Sequence, residues 1–233
     1  MQTRLELPFR APGAADVAPL SALYEQGNGA PARGGLLLAH GAGYDMESPF
    51  MARLAAGLVA LGFGVLRFNY PYRERALRAR KRMLPPDPRA VLEAAHALAL
   101  GELVRRSGDP RPWLAGKSLG ARISTLLAAK DHPCRGLLLF GYPLHPAGQP
   151  EKERSEHFPA IAQPALFLQG TRDDLCEVER LQAALARFGG PVVLELLETA
   201  DHSFKTLKKS KMSEEDVFAW LLERVDRFAT SHP

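Results

Sequence analysis

The pentapeptide Gly116-Lys117-Ser118-Leu119-Gly120 stands where an aliphatic run ends and a helical pattern begins. A G-x-S-x-G sequence in that position is typical of a sharp strand-to-helix turn, which needs glycines because a Cβ would clash with the neighbouring backbone. Such a turn places the Ser118 hydroxyl at the start of the helix, beside backbone N–H groups that can hold an oxyanion. The alternative interpretation is a glycine-rich turn in which Ser118 only caps the helix.

Short aliphatic runs alternate with longer helical patterns on both sides of this turn. This alternation predicts an α/β fold with a mostly parallel sheet and helices on both faces. A further hairpin of two antiparallel strands, at 3–7 and 20–24, is expected at the edge of the sheet. The expected parallel strands are 36–39, 64–68, 112–115, 137–140, 165–169 and 192–196, and the expected helices are 49–61, 88–106, 119–130, 176–188 and 213–230, the last capped by Ser213.

Length and composition indicate one globular domain over residues 1–233. The chain is 46% hydrophobic and 24% charged, close to the globular average, and it contains no repeat or linker composition that would divide it. The longest connection, 145–164, is rich in proline and charge but is too short for a folded cap domain. We therefore expect an open site with, at most, a small lid.

Several functional classes are disfavoured by what the sequence lacks. No apolar run approaches the roughly 18 residues that span a bilayer, and residues 1–10 lack the apolar core of a secretory signal. Cys134 and Cys176 show no metal-ligand spacing, which predicts two free thiols in the cytoplasm and no metal site. No nucleic-acid docking motif is present. We expect no cofactor, no membrane and no nucleic-acid partner.

A serine hydroxyl becomes a good nucleophile only beside a base, which in turn needs a carboxylate to orient it. Asp173 and His202 both follow predicted strands, so all three groups are expected at the same edge of the sheet. The order Ser, Asp, His along the chain is that of α/β-hydrolases. Asp174 is the alternative acid, but Asp173 is the first carboxylate after the Gly-Thr-Arg turn. His145 and His157, in the long connection, are candidates for the site entrance or are solvated loop residues.

The oxyanion that forms during acyl transfer needs two N–H donors. One is expected from Leu119, directly after the serine, and the other from Ala42 in the loop His40-Gly41-Ala42-Gly43. His40 would then brace the loop and take no part in proton transfer. The alternative is a tight turn that needs only small residues.

Five segments together resemble a known family: 67–75 (RFNYPYRER), 84–87 (LPPD), 116–120 (GKSLG), 140–146 (FGYPLHP) and 169–173 (QGTRD). The chain is similar to the α/β-hydrolase superfamily, in its small kind without a cap domain near the dienelactone-hydrolase-like proteins. It is most similar to the domain shared by testis-expressed-protein and NSL-complex-subunit relatives. The resemblance implies the α/β-hydrolase fold and the candidate triad. Typical dienelactone hydrolases have a cysteine nucleophile where this chain has Ser118, so their substrate is not carried over.

Six basic residues crowd into ten positions, opposed by one acid: Arg73, Arg75, Arg78, Arg80, Lys81 and Arg82. They follow a predicted strand and so emerge at the edge that holds the site, where they could steer an anionic acyl substrate. A solvated charged face is the alternative. Tyr72, Arg73 and Tyr142 are the candidate substrate-binding residues.

The sequence thus predicts a serine hydrolase that cleaves a small ester or thioester through Ser118, His202 and Asp173. A peptidase or an acyltransferase is not distinguished from it. The main alternative is a binding or scaffold protein that keeps the fold without turnover, as some members of the resembling group do. The acyl group, the leaving group and the oligomeric state are not predicted.

Overall fold

Eight strands form one sheet in the computed structural model, which describes residues 1–232. The order across the sheet is β1-β2-β4-β3-β5-β6-β7-β8. Strands β3 to β8 are parallel to one another, and β2 is antiparallel to both of its neighbours, β1 and β4. The strands are β1 (Gln2–Phe9), β2 (Ala18–Glu25), β3 (Gly35–Ala39), β4 (Gly64–Phe68), β5 (Trp113–Lys117), β6 (Leu137–Phe140), β7 (Ala165–Gly170) and β8 (Val192–Leu197).

Helices cover both faces of this sheet. They are α1 (Pro49–Ala60), α2 (Pro71–Arg78), α3 (Arg89–Ser107), α4 (Leu119–Ala128), α5 (Val178–Leu185) and α6 (Glu214–Ser231). The buried side chains of α1 and α6 share one hydrophobic core with the sheet, and those of α3, α4 and α5 share the core on the opposite face. The expected architecture, a mostly parallel sheet between two helical layers, is confirmed.

Burial explains why the strands could be predicted from the sequence. Every residue of β3, β4, β5, β6 and β7 is buried, and strands covered on both faces read as continuous aliphatic runs. β1 instead alternates exposed and buried residues over much of its length, as an edge strand does. β2 pairs with β1 on one side and β4 on the other, so the predicted edge hairpin is confirmed.

Helix α2 was not predicted. Pro71 occupies its first turn, where the missing N–H costs nothing, and Tyr72 and Ala76 form a buried pair four residues apart. The remaining residues are mostly charged, so the helix has too few apolar positions for its period to stand out. It holds the first part of the basic segment 73–82 in ordered structure.

The connection 145–164 contains only a short 3₁₀ turn at Phe158–Ala160. Two contacts hold it against the edge of the sheet where the parallel strands end: the Tyr142 hydroxyl donates to the Arg154 carbonyl over 2.8 Å, and the Arg154 amide donates to Leu144 O over 2.7 Å. The part of the chain that the structure describes therefore carries no cap domain. None of its helices is both long and apolar enough to cross a membrane.

Helix α6 begins as predicted at Ser213. The Ser213 hydroxyl accepts from the Asp216 amide over 3.1 Å, and the Asp216 carboxylate accepts from the Ser213 amide over 2.8 Å. This reciprocal capping satisfies two amides that the helix itself leaves unpaired. Helix α6 follows the segment that contains His202, so its capped start marks the end of that segment.

Candidate active site

Ser118 lies in a strained turn between β5 and α4. Its backbone has φ of 52° and ψ of −113°, a conformation that costs a residue with a side chain about 1–3 kcal/mol. A Cβ on Gly116 would lie 2.2 Å from the carbonyl carbon of Gly120, and a Cβ on Gly120 would lie 2.2 Å from Ala39 O. Both glycines are therefore required for the backbone to pass so closely. The turn presents the Ser118 hydroxyl above the end of the strand.

His202 stands between Ser118 and Asp173. Its Nε2 lies 2.8 Å from Ser118 Oγ, and its Nδ1 lies 2.6 Å from Asp173 Oδ2. The Asp173 side chain is fully buried, whereas 24% of the His202 side chain is exposed. In this arrangement Nδ1–H donates to the carboxylate, which leaves the Nε2 lone pair free to accept the serine proton.

Two further donors hold the Asp173 carboxylate in place. Gln169 Nε2 donates to Oδ2 over 2.5 Å and the Leu175 amide donates to Oδ1 over 2.8 Å, while Gln169 Oε1 accepts from the Tyr142 amide over 2.8 Å. Asp174 is exposed and makes no contact with His202. Gln169 was missed as a site residue, although a polar side chain near the end of an apolar strand is a signal for one.

Lys117 is a second residue that the sequence motif did not identify as part of the site. It is wholly buried at the end of β5, and its Nζ donates to the backbone carbonyl of His202 over 2.6 Å. Burial lowers the pKa of Lys117 to about 8, a shift that Asp173 and Asp201 partly oppose. The ammonium ties the segment that carries His202 to the strand that carries Ser118. Its position, as a charged residue at the end of an otherwise apolar strand, could have identified it as a site residue.

Two backbone amides face the space beside Ser118. Ala42 and Leu119 both line the cavity that contains Ser118, and within residues 1–232 neither amide donates to another group of the chain. Unpaired N–H groups beside Ser118 could hold a developing oxyanion if this serine is the nucleophile.

His40 supports the loop that carries Ala42. It is completely buried; its Nε2 accepts from the Tyr70 amide over 3.1 Å, and its Nδ1 lies 2.8 Å from Gly41 O. These partners require a neutral ring with the proton on Nδ1. Burial accordingly lowers the pKa of His40 to about 4. The contacts are those of a brace, as expected from the sequence.

The cavity beside Ser118 has a volume of about 340 Å³, at the small end of ligand pockets. A larger cleft of about 470 Å³ lies between Phe50, Phe204 and Phe218, but the candidate site is at the smaller one because it contains Ser118 and the residues of both amides. Its lining is formed by Ala42, Pro86, Asp87, Arg89, Leu92, Ser118, Leu119, Arg122, Ile123, Pro143, Arg154 and Leu175.

The sequence matches a known protein family. A model of the alpha/beta hydrolase domain matches residues 32–230. The chain belongs to the alpha/beta hydrolase family.

Solved structures share the fold of this family member at low identity. A dienelactone hydrolase from Anabaena variabilis is 20% identical, with a TM-score of 0.73 over 98% of this chain and 98% of that one. An esterase from Pyrococcus furiosus is 16% identical, with a TM-score of 0.73 over 100% of this chain and 91% of that one. An alpha-beta serine hydrolase homologue from Coxiella burnetii is 19% identical, with a TM-score of 0.68 over 97% of this chain and 96% of that one.

The three side chains expected to bind substrate have other contacts in this alpha/beta hydrolase. Tyr72 is buried behind the Ala42 loop, and its hydroxyl donates to Ala42 O over 3.3 Å. Tyr142 is buried under the 145–164 connection. Arg73 binds Asp45 over 2.7 Å and the Arg82 carbonyl over 2.8 Å. None of the three is among the residues that line the Ser118 cavity, and their role in substrate binding stays a prediction.

The basic segment 73–82 divides into an engaged and a free part. Besides Arg73, Arg75 pairs with Asp87 over 2.6 Å, and Arg78 donates to Pro19 O over 2.9 Å. Residues 80–82 are exposed and form no ion pair within the described chain. The first part of the segment is thus committed to internal contacts.

The two cysteines lie apart from these groups. Cys134 and Cys176 are both buried free thiols, and burial raises the pKa of Cys134 to about 12 and that of Cys176 further. Within residues 1–232 no group of three or more His, Cys, Asp or Glu side chains is arranged to hold a metal ion.

Proposed function

We propose that this alpha/beta hydrolase is a serine hydrolase that cleaves a small ester or thioester. The observation that supports the proposal most directly is the continuous chain Ser118–His202–Asp173, with separations of 2.8 and 2.6 Å. A nucleophile hydrogen-bonded to a base, and a base hydrogen-bonded to an orienting acid, is the arrangement that activates a serine. Family membership and the strained turn at Ser118 add support.

In the acylation step, Ser118 Oγ would attack the substrate carbonyl while His202 Nε2 takes its proton. The carbonyl oxygen would become an oxyanion, which the amides of Ala42 and Leu119 stabilise. Asp173 would stabilise the imidazolium without taking its proton. Collapse of the intermediate would break the bond to the leaving group, which departs with the proton from His202 as an alcohol or a thiol.

In the deacylation step, water would take the place of the leaving group. His202 would remove a proton from the water, whose oxygen attacks the acyl carbon, and the same amides would hold the second oxyanion. Ser118 would then leave with the proton from His202, and the carboxylic acid would be released. The whole cycle needs only groups that the chain supplies.

The dimensions of the site favour a small substrate. The cavity of about 340 Å³ suits a short acyl group, and the lack of a cap over the described chain leaves the nucleophile accessible. We further propose that the chain belongs with the testis-expressed-protein and NSL-complex-subunit relatives, on the five sequence segments given above. Two buried free thiols favour a cytoplasmic location.

Labelling with a fluorophosphonate probe tests the proposal. The wild-type protein should be labelled covalently, and labelling should vanish in Ser118→Ala and His202→Ala, because the probe reacts only with an activated serine. Ser203→Ala is the matched control, since Ser203 is exposed and directly follows His202. It should label like the wild type.

Thermal melting of each variant separates catalysis from folding. Folded wild-type protein without labelling would contradict the proposal and favour the binding or scaffold alternative. Loss of folding in Ser118→Ala would assign Ser118 a structural role.

A further inference from the structure

Three arginines line the small cavity that contains Ser118, and the side chains of two of them have no partner within the described chain. Arg89 pairs with Glu93 over 3.3 Å, and 56% of its side chain is exposed. Within residues 1–232, the guanidinium groups of Arg122 and Arg154 form no ion pair and donate no hydrogen bond. Both side chains are only partly exposed. Arginines that are partly withdrawn from water usually find an anion.

Arg122 is placed by the same helix that follows the nucleophile. Its amide donates to Ser118 O over 3.0 Å, so it lies one helical turn beyond Ser118, about 5.4 Å along α4. Its Nε is buried without a hydrogen-bond partner. A buried guanidinium N–H that is left unpaired is costly, and a ligand oxygen would relieve the cost.

Arg154 reaches the same cavity from the 145–164 connection. Its backbone is fixed at both polar groups, by the Tyr142 hydroxyl over 2.8 Å and by Leu144 O over 2.7 Å. Burial and the proximity of Arg122 lower the pKa of Arg154. The two guanidinium groups are therefore close enough for their charges to interact.

The acidic residues nearby do not neutralise this pair. Asp87 lines the cavity, but it binds Arg75 over 2.6 Å. Glu156 lies near enough to influence the pKa of Arg154 but forms no ion pair with either arginine within the described chain. The cavity beside the nucleophile thus holds two positive charges in excess of its acids.

We infer that the substrate carries an anionic group, a carboxylate or a phosphate, which Arg122 and Arg154 bind beside the scissile carbonyl. The inference rests on the proposed function, since it concerns the substrate of the same site. Planar guanidinium groups bind such oxygens through paired hydrogen bonds. Arg122, Arg154 and Ser118 line the same cavity of about 340 Å³, so the anion should lie only a few bonds from the carbonyl carbon.

Hydrolysis of two 4-nitrophenyl esters tests the inference. The hydrogen glutarate ester carries a carboxylate four bonds from the scissile carbonyl, and the valerate ester is its neutral counterpart of the same length. The wild-type protein should show a kcat/KM for the glutarate ester about tenfold or more above that for the valerate ester. Arg122→Gln and Arg154→Gln should each lower this ratio by about 10- to 100-fold, as expected for a lost hydrogen bond to a charged group.

Two control variants sharpen the result. Arg227→Gln removes the same unit of charge from the exposed face of α6, where Arg227 pairs with Glu223, and it should leave the ratio unchanged. Arg122→Lys keeps the charge but loses the planar pair of donors, so it should restore only part of the ratio. A wild-type ratio near one, or an equal fall in Arg227→Gln, would overturn the inference.

Two further measurements separate failure of this inference from failure of the proposed function. Fluorophosphonate labelling with no preference for the glutarate ester would retain the hydrolase and reject the anion site. Calorimetric titration with glutarate needs no turnover. A third outcome is that the probe does not label the wild type, while glutarate binds the wild type and does not bind Arg122→Gln. That outcome would support the anion site and contradict the proposed hydrolase activity. Absence of both labelling and binding would reject both.

Discussion

The Ser118 hydroxyl stands between two contrasting surroundings. On the base side, which holds the proposed base His202, the donors and acceptors are engaged: His202 binds Ser118 and Asp173, Gln169 binds Asp173, and Lys117 binds the His202 carbonyl. On the cavity side, four donors face the space without partners in the described chain: the amides of Ala42 and Leu119 and the guanidinium groups of Arg122 and Arg154.

The two sides differ in whether their polar groups find hydrogen-bond partners within the chain or are left to bind a ligand. Polar groups withdrawn from water are normally paired, so a saturated cluster is rigid and a cluster of free donors of one kind indicates an acceptor from outside. Changes on the base side should therefore affect every ester alike. Changes on the cavity side should depend on the charge of the substrate.

The largest expected effect is on the base side. Asp173→Asn should lower kcat by about 10⁴-fold for both the glutarate and the valerate ester, because the amide no longer holds His202 in the tautomer with a free Nε2. Steady-state kinetics with both esters measures it. Asp174→Asn, at the exposed neighbour, is the matched control and should stay within about threefold of the wild type. Equal losses in the two variants would reassign the orienting acid.

The next effect concerns how the unfolding free energy of the protein depends on pH through Lys117, on the base side. The Lys117 pKa of about 8 lies below its ordinary value of 10.5, so between these values the unfolded chain binds more protons and stability rises with pH. From pH 7 to pH 10 the wild type should gain about 2 kcal/mol relative to Lys117→Met, which lacks the buried charge.

Denaturant unfolding of both proteins at the two pH values measures this gain. Lys205→Met, which removes an exposed lysine three residues after His202, should track the wild type. A free-energy difference between wild type and Lys117→Met that does not change with pH would show that the ammonium is not desolvated in the folded protein.

On the cavity side, acid should loosen the loop that carries Ala42. The His40 pKa of about 4 lies below its ordinary value of 6.5, so stability is lost as pH falls from 6.5 towards 4. Between pH 7 and pH 5 this residue should cost the wild type about 2 kcal/mol of unfolding free energy. His40→Gln keeps an acceptor for the Tyr70 amide but cannot be protonated, so its stability should fall less over that interval. Parallel falls in the two proteins would contradict the role of His40.

The smallest effect tests how Arg154 is positioned. Tyr142→Phe removes the hydrogen bond to the Arg154 carbonyl, worth about 1 kcal/mol, and should lower the glutarate-to-valerate ratio by about threefold. Tyr24→Phe removes a comparable hydrogen bond, from Tyr24 to Gln26, in the β1–β2 region and should leave the ratio unchanged. A fall in both variants would point to general loosening of the fold.

Local patterns in the sequence were sufficient for the sheet and for the main groups of the candidate site. Strands buried on both faces read as aliphatic runs, and the carboxyl ends of parallel strands meet at one edge. Placing Ser118, Asp173 and His202 after three parallel strands was therefore enough to predict that they lie together, without knowing their contacts. The glycines around Ser118 could also be interpreted from the sequence, because the turn that they permit depends only on neighbouring residues.

Only the tertiary structure decided which charges are free. The segment 73–82 looked like the basic surface of the site, yet Arg73 binds Asp45, 28 residues away in sequence, and Arg75 binds Asp87. Arg122 and Arg154, 32 residues apart in sequence, belong to none of the sequence motifs, yet both line the cavity, and their side chains have no partner within residues 1–232. Ion pairing and desolvation depend on which distant side chains share a space, and neither composition nor periodicity records that.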